Sequence, residues 1–216
     1  MEVKITQMDA QAKEVHQCYE KNQKSAYEAA LELEELSERT VLLTRLLPAY
    51  TGNPSAGKEV EQLILDHVPV EIGFTAEGWF CVRMGTLLPK KDSGSVDYLR
   101  AFLYPAMRTF FSGKAPVRYK DCVLIFRHVY DRMRPERRKR DHDNIEVNLV
   151  SDIVALYVLP DDNPSVCSHY YCSASSDEDR TEIYVVPKRD FLLWLADERA
   201  IPNKGVKLYE NILVKQ

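Results

Sequence analysis

The sequence predicts an α+β fold in which a helical segment precedes a domain of strands and helices. Three observations indicate it. From Ala10 to Leu47 there is neither glycine nor proline, and apolar residues recur at steps of three and four, the period of a helix. Val70, Ile72 and Phe74 alternate with other residues as in a strand. Val117 to Tyr130 is an apolar run that fits a strand in the interior of a sheet.

Composition describes an ordinary globular protein. The chain has 216 residues, of which 45% are hydrophobic and 29% charged, and its net charge is −4. No apolar run approaches the roughly eighteen residues of a membrane helix, and the N-terminus does not resemble a secretory signal. We therefore expect no membrane association and a cytoplasmic location. The overall charge does not favour nucleic-acid binding, so any such function must depend on local charge.

Residues 1–50 are expected to form a helical extension. A helical hairpin or a long helix, packed on the main domain or on a dimer mate, is the first interpretation. A coiled-coil dimerisation arm is the sharper alternative, although its a/d pattern is not sustained over enough heptads to decide the matter. Residues 51–67 are expected to form a linker and a short helix, because Tyr50 to Gly57 is rich in turn-forming residues.

Residues 68–190 are expected to form the main domain. A hairpin is predicted over Val68 to Leu88 and a helix over Val96 to Phe111. Ser165 to Cys172 and Thr181 to Val186 are expected to pair as a second hairpin. Residues 191–216 are expected to form a C-terminal helix and a tail that covers an edge strand. The predicted inward face of that helix is Phe191, Leu192, Trp194 and Leu195.

The sign of the charge reverses sharply at Asp141. From Arg118 to Arg140 there are nine basic and three acidic residues, and from Asp141 to Glu182 there are ten acidic residues against Arg180 alone. Crowded carboxylates repel one another unless they are protonated, separated or bound to a cation. The reversal therefore suggests a cation site beside a basic surface.

The spacing of the carboxylates is compatible with such a site. Asp141 and Asp143 are two residues apart, so on extended backbone they project to one side. Asp143 and Glu146 have the spacing of a capping box. The helix that follows is predicted to present Ile145, Leu149, Ile153 and Leu156 and to end near Pro160, where Asp161 and Asp162 form a turn. Each feature also has a plain structural explanation, as a helix cap, a turn or a solvated basic loop.

The segment RRKRDHDN, followed after about eighteen residues by an Asp-Asp pair, resembles the catalytic segment of the RusA-type Holliday junction resolvases. The resemblance is carried by Cys122 to Val166. It implies a small mixed sheet with helices on one face. It also implies that Asp141, Asp143 and Asp162 are catalytic residues that bind Mg²⁺, or Mn²⁺ in its place.

The resemblance further implies a hydrolase, a structure-selective endonuclease that cuts branched DNA such as four-way junctions. A homodimer is implied, acting in recombination or repair of a phage or mobile element. The expected DNA-binding residues are Arg134, Arg137, Arg138, Lys139, Arg140, Lys90 and Lys91. Basic side chains of this kind neutralise backbone phosphates.

One residue departs from the family pattern. The family has a catalytic lysine four residues after the second aspartate, and this chain has Val147 there. Lys139 or Lys90 is a possible substitute. The alternative is a RusA-like module that binds DNA or protein without nuclease activity. A metal-dependent enzyme acting on nucleotides is a third hypothesis.

Overall fold

The computed structural model describes residues 2–46, 68–91, 96–115, 117–136 and 139–212, and singly 52, 53, 55, 59, 62 and 63. Apart from those six positions, the predicted linker and short helix at 51–67 lie outside the described residues. The helical extension is a single helix, α1 (Glu2–Leu46), and not a hairpin. It contacts the main domain at α2 (Val96–Phe111). Leu31 is the buried apolar residue among its described side chains.

The centre of the domain is a five-stranded mixed sheet. Its strands are β1 (Val70–Phe74), β2 (Phe80–Met84), β3 (Cys122–Asp131), β4 (Cys167–Ser176) and β5 (Arg180–Pro187), and their spatial order is β1-β2-β5-β3-β4. Strands β3 and β4 are parallel, and the other neighbours are antiparallel. The β1–β2 hairpin and the interior position of β3 confirm the predictions for those segments.

The predicted hairpin of the last two strands is wrong. Strand β5 does not pair with β4, since it lies between β2 and β3 and is antiparallel to both. Residues Arg180 to Val186 are all buried, whereas β4 has only three buried residues, Cys167, Cys172 and Ser176. An apolar strand gains most from a position with sheet on both sides, and the more polar strand tolerates the edge.

Helices cover both faces of the sheet. Helices α2 and α3 (Asn148–Val158) pack on one face, in a core that includes Phe80, Leu124 and Val185. Helix α4 (Phe191–Asp197) packs on the other through Trp194, whose ring lies 5.7 Å from that of Tyr184. The expectation of helices on one face is therefore corrected. Leu192, predicted to face inward, is 77% exposed, because the short helix turns only its Trp194 side to the sheet.

The C-terminal tail covers the edge strand β1, as predicted. Phe74 and Tyr209 exchange two backbone hydrogen bonds of 2.8 Å. Gly73 permits this approach, since a Cβ at that position would lie 2.7 Å from the Tyr209 carbonyl oxygen. The tail thereby closes an edge that would otherwise present unpaired backbone groups.

The predicted capping box before α3 is not formed. Helix α3 begins at Asn148, and Asp143 lies instead in a 3₁₀ turn, His142–Asn144. Ile145 is held extended by a bridge to Lys90, which delays the helix. Glu146 Oε1 accepts a hydrogen bond of 3.3 Å from the Leu149 backbone N–H, so Glu146 caps the first turn. Leu156 of the predicted apolar face is 56% exposed.

Candidate nucleic-acid interface

Two segments about fifty residues apart meet at one edge of the domain. The Glu146 N–H donates to the Pro89 carbonyl at 2.9 Å, and the Lys91 N–H donates to the Asn144 carbonyl at 3.1 Å. The Lys91 ammonium donates to the Asp143 carbonyl at 2.9 Å. The Arg140 guanidinium donates to the Leu88 carbonyl. These backbone contacts bring the basic residues of both segments around the same turn.

We call Lys90, Lys91, Lys139 and Arg140 the basic edge. It borders a short turn that carries two of the predicted carboxylates. Asp141 and Asp143 are both exposed, and the Asn144 N–H donates to the Asp141 carbonyl at 3.1 Å to close the turn. The sequence predicted each basic pair and each carboxylate separately. The contact between the two segments depends on the Lys90–Ile145 bridge, which no local pattern predicts.

His142 turns inward between the two aspartates. Its ring centroid lies 5.5 Å from that of His128 and 5.9 Å from that of Tyr171. Its Nε2 lies 2.9 Å from Ser173 Oγ. The carboxylates therefore face solvent while the imidazole between them packs on the sheet. No signal in the sequence indicated Ser173, which lies in β4.

Beneath His142 lies a pair of buried polar side chains without hydrogen-bond partners. His128 and Thr181 are neighbours across β3 and β5. Within the described part of the chain, neither ring nitrogen of His128 has a hydrogen-bond partner. The Thr181 hydroxyl has none there either. Burial, with a smaller electrostatic contribution from the neighbouring His142 and Arg140 side chains, lowers the pKa of His128 to about 3. His128 is thus a neutral imidazole at neutral pH, and such unsatisfied groups are rare in protein interiors.

The remaining predicted carboxylates, Asp161 and Asp162, lie in the turn after α3, and Asp162 is a neighbour of Asp152. Partial burial raises the pKa of Asp152, and the neighbouring Asp162 carboxylate, within hydrogen-bonding reach, raises it further. Asp161 accepts a hydrogen bond from the Asp162 N–H at 2.8 Å and one from the Asn163 side chain, which lower its pKa. Asp162 therefore lies close enough to Asp152 of α3 for its charge to raise the pKa of that carboxyl.

The donor set does not fit a complete metal site in a single chain. Across the described ranges, no three His, Cys, Asp or Glu side chains are grouped so that they could hold a metal ion. Asp141, Asp143 and Asp162 thus do not form such a group. The family's lysine position also lacks a cation, because Val147 is buried immediately before α3. We derive no metal-dependent step from this arrangement.

Two arginines of the basic segment before Asp141 are held by carboxylates that follow β4. Arg134 is buried and binds both carboxylate oxygens of Asp179, at 2.6 to 3.1 Å. Arg132 pairs with Asp177 at 3.0 Å. Arg134 is therefore unsuited to the DNA-binding role that the resemblance implies, because its guanidinium supports the turn after β4. The predicted residues Arg137 and Arg138 lie outside the described residues.

A buried ionic cluster on the opposite face of the sheet was not predicted. Glu182 accepts hydrogen bonds from Arg127 at 3.0 Å, Arg180 at 2.7 Å and the Tyr184 hydroxyl at 2.9 Å. Burial opposes its ionisation, but these partners together lower its pKa. The signal in the sequence was a charged residue inside each of two largely apolar strands, Arg127 in β3 and Glu182 in β5.

Comparison with known proteins places the whole architecture, α1 included, in one family. Residues 1–212 match the model of a family described as "Family of unknown function (DUF6100)". A search among curated proteins finds no match to this chain. None of the helices in the described segments is both long and apolar enough to cross a membrane. The match spans nearly the entire sequence, and the chain therefore belongs to the DUF6100 family.

Proposed function

We propose that this protein binds branched DNA, such as four-way junctions, through the basic edge around the Asp141–Asp143 turn. The observation that carries the proposal is the convergence of Lys90 and Lys91 with Lys139 and Arg140. Residues fifty apart in sequence thereby present four cationic groups at one place, which suits a phosphate backbone.

The contacts of the lysines leave them suited to phosphate binding. The Lys91 ammonium donates to the Asp143 backbone carbonyl, which does not neutralise its charge. Lys139 pairs at 2.7 Å with Glu136, whose side chain is 87% exposed. Exposed ion pairs contribute at most about 1 kcal/mol, so a phosphate can replace Glu136. The four cations outnumber the exposed carboxylates of Asp141 and Asp143, so the edge is locally positive although the net charge of the chain is −4.

Mg²⁺-dependent cleavage of the junction, as a RusA-like endonuclease, is the second candidate. Two observations favour it: Asp141 and Asp143 are exposed on one turn, and that turn borders the basic edge. Mg²⁺ is commonly held by one or two carboxylates together with substrate phosphates. Against cleavage stand Val147 at the lysine position and the proximity of Asp162 to Asp152. Binding without cleavage is therefore the proposal that the geometry supports better.

A mobility-shift titration with a synthetic four-way junction, alongside a linear duplex of equal length, tests binding. We expect the wild-type protein to bind the junction, and Lys90→Ala/Lys91→Ala to bind it roughly tenfold more weakly, a loss of about 1.4 kcal/mol. The matched control is Lys120→Ala/Lys204→Ala, which removes two exposed lysines, the first of them at the opposite end of β3. Absence of junction binding, or equal loss in both variants, would overturn the proposal.

Incubation of the same junction with Mg²⁺ separates the two candidates. Intact DNA after complete binding supports the module without cleavage. Paired nicks that disappear in Asp141→Asn/Asp143→Asn, while binding persists, would instead establish the endonuclease.

A further inference from the structure

Helix α1 carries a heptad repeat along its length that is interrupted by polar residues only at Asn22 and Thr40. Starting at Ile5, the a positions are Ile5, Ala12, Tyr19, Ala26, Leu33 and Thr40, and the d positions are Met8, Val15, Asn22, Ala29, Leu36 and Leu43. Ten of these twelve residues are apolar. A period of seven residues is typical of a helix that pairs with another helix along its length. The a/d pattern is therefore sustained, contrary to the expectation from the sequence.

Between Ala12 and Thr40, where its side chains are described, the a/d seam faces solvent in this structure. Its large side chains at described positions are strongly exposed: Val15 at 70%, Tyr19 at 65%, Leu33 at 63% and Leu36 at 58%. The smaller seam residues from Ala12 to Thr40 are exposed as well. An apolar stripe of this length on a soluble helix marks an interaction surface.

The helix contacts its own domain with the opposite side. Leu31 is buried and lies at an f position of the same heptad frame, on the far side of the helix from the a/d seam. At 1.5 Å per residue the helix is about 67 Å long. The seam is thus a second face, separate from the one that packs near α2, and it is available to a partner of similar length.

We propose that α1 pairs with α1 of a second copy of this chain in a parallel, in-register, two-stranded coiled coil. The seam is self-complementary in that arrangement, because its two polar positions, Asn22 and Thr40, meet their own counterparts. An Asn22 amide both donates to and accepts from an opposing amide. An antiparallel pair that aligns the whole seam places Asn22 across from Ala26, so the amide gains no partner on the other helix and keeps only its 3.8 Å contact to Cys18 Sγ, which is costly in a buried seam.

The residues at the e and g positions, which flank the a/d seam, agree with a parallel orientation. In a parallel pair each g residue faces the e residue five positions later in the other helix. Lys4 then faces Asp9, an attractive pair, and none of the other five g–e combinations between Gln11 and Thr44 joins like charges. A second copy is therefore the occupant that both the core and the flanks fit. The inference does not depend on the proposed DNA binding.

Sedimentation equilibrium of the full chain tests the proposal. We expect a dimer at micromolar concentration, and we expect Val15→Glu/Tyr19→Glu to weaken dimerisation at least a hundredfold, about 2.7 kcal/mol, because it buries two charges in the seam. The matched control is Ala10→Glu/Gln17→Glu, which adds the same charge at two f positions and is expected to leave the dimer intact. A monomeric wild-type protein, or a dimer that persists in the seam variant, would overturn the proposal.

Disulfide trapping tests the register independently of any loss of folding. In a Cys18→Ser background, which removes the exposed thiol, Val15→Cys places a single cysteine in the seam. A parallel in-register pair brings the two introduced thiols together, so mild oxidation is expected to give a covalent dimer. An antiparallel pair places position 15 across from Leu33, and the absence of a covalent dimer would contradict the parallel arrangement.

Discussion

Two adjacent residue pairs on β3 and β5 differ in how their polar groups are satisfied. Arg127 pairs across the strands with Glu182, and the next pair is His128 with Thr181. On the face that carries α4, the Glu182 carboxylate accepts hydrogen bonds from Arg127, Arg180 and Tyr184, and in the described structure the pair leaves one buried atom, Arg127 Nε, without a hydrogen-bond partner. On the opposite face, His128 and Thr181 are just as buried, and in the described structure their side chains have no partners.

The difference separates a structural cluster from a candidate site. A largely satisfied buried ion cluster fixes the arrangement of the strands that contribute to it. Unsatisfied buried groups lower stability, and they are tolerated where the surroundings serve another role. The His128–Thr181 pair lies directly beneath His142, whose neighbours Asp141 and Asp143 border the basic edge. The unsatisfied pair therefore coincides with the surface that we propose for DNA binding.

Removal of the Glu182 carboxylate should cause the largest loss in the free energy of unfolding. Glu182→Ala leaves buried arginines without a counter-charge, and breaking a buried ion cluster in this way costs about 3–5 kcal/mol. Urea denaturation at pH 7 measures the loss. Glu71→Ala is the control, because Glu71 also pairs with an arginine, Arg83, but its side chain is 61% exposed, and the expected loss is below about 1 kcal/mol. Equal losses in both variants would remove the distinction between the two kinds of pair.

Replacement of His128 should change how stability depends on pH. The pKa of His128 is about 3 in the folded protein and 6.5 ordinarily, so the unfolded chain takes up a proton first as the pH falls. Stability supplied by the neutral imidazole is complete above pH 6.5 and declines towards pH 3, by about 2 kcal/mol between pH 7 and pH 5. His128→Leu should lack this component, as measured by denaturation at both pH values. The control His16→Gln alters an exposed histidine of α1 and should retain the wild-type dependence.

Replacement of the Thr181 hydroxyl should change the free energy of unfolding less than the replacements of Glu182 and His128. Thr181→Val keeps the shape of the side chain and removes a buried hydroxyl that has no partner in the described structure. We expect the free energy of unfolding to change by less than about 1 kcal/mol or to increase. A loss above 2 kcal/mol in thermal denaturation would show that the hydroxyl has a partner after all.

The neighbouring carboxyl groups of Asp152 and Asp162 extend the comparison to the surface. Asp162→Asn removes the charge that helps to raise the pKa of Asp152, so that pKa should fall. An NMR titration of the Asp152 side-chain carboxyl carbon measures the change. Asp161→Asn is the control at the neighbouring position. An unchanged pKa of Asp152 would mean that the two carboxylates are separated in solution.

Local structure was predictable wherever one period dominates the sequence. The helix at Val96–Phe111 and the β1–β2 hairpin follow from their periodicity alone. The position of β5 did not follow, because a hairpin between consecutive strands is the simpler local solution and only competition for the interior of the sheet excludes it. The heptads of α1 were overlooked because small residues and Asn22 interrupt the large apolar ones.

The candidate site was predictable in its residues but not in its contacts. Charge reversal identified Asp141, Asp143 and the basic residues, and nothing local distinguished Arg134, bound to Asp179, from Arg140 at the basic edge. The capping-box spacing of Asp143 and Glu146 was real, but a tertiary bridge from Lys90 to Ile145 altered where the helix begins. The proximity of Asp162 to Asp152 likewise depends on how the chain returns alongside α3.

The salt dependence of junction binding tests the role of the basic edge most directly. For each phosphate contact that is lost, the slope of log K against log salt concentration becomes shallower by roughly 0.7 to 0.9. Lys90→Ala/Lys91→Ala should therefore give a slope shallower than the wild type by about 1.4 to 1.8, while Lys120→Ala/Lys204→Ala keeps the wild-type slope. Equal slopes for all three proteins would contradict the claim that DNA is bound at this edge.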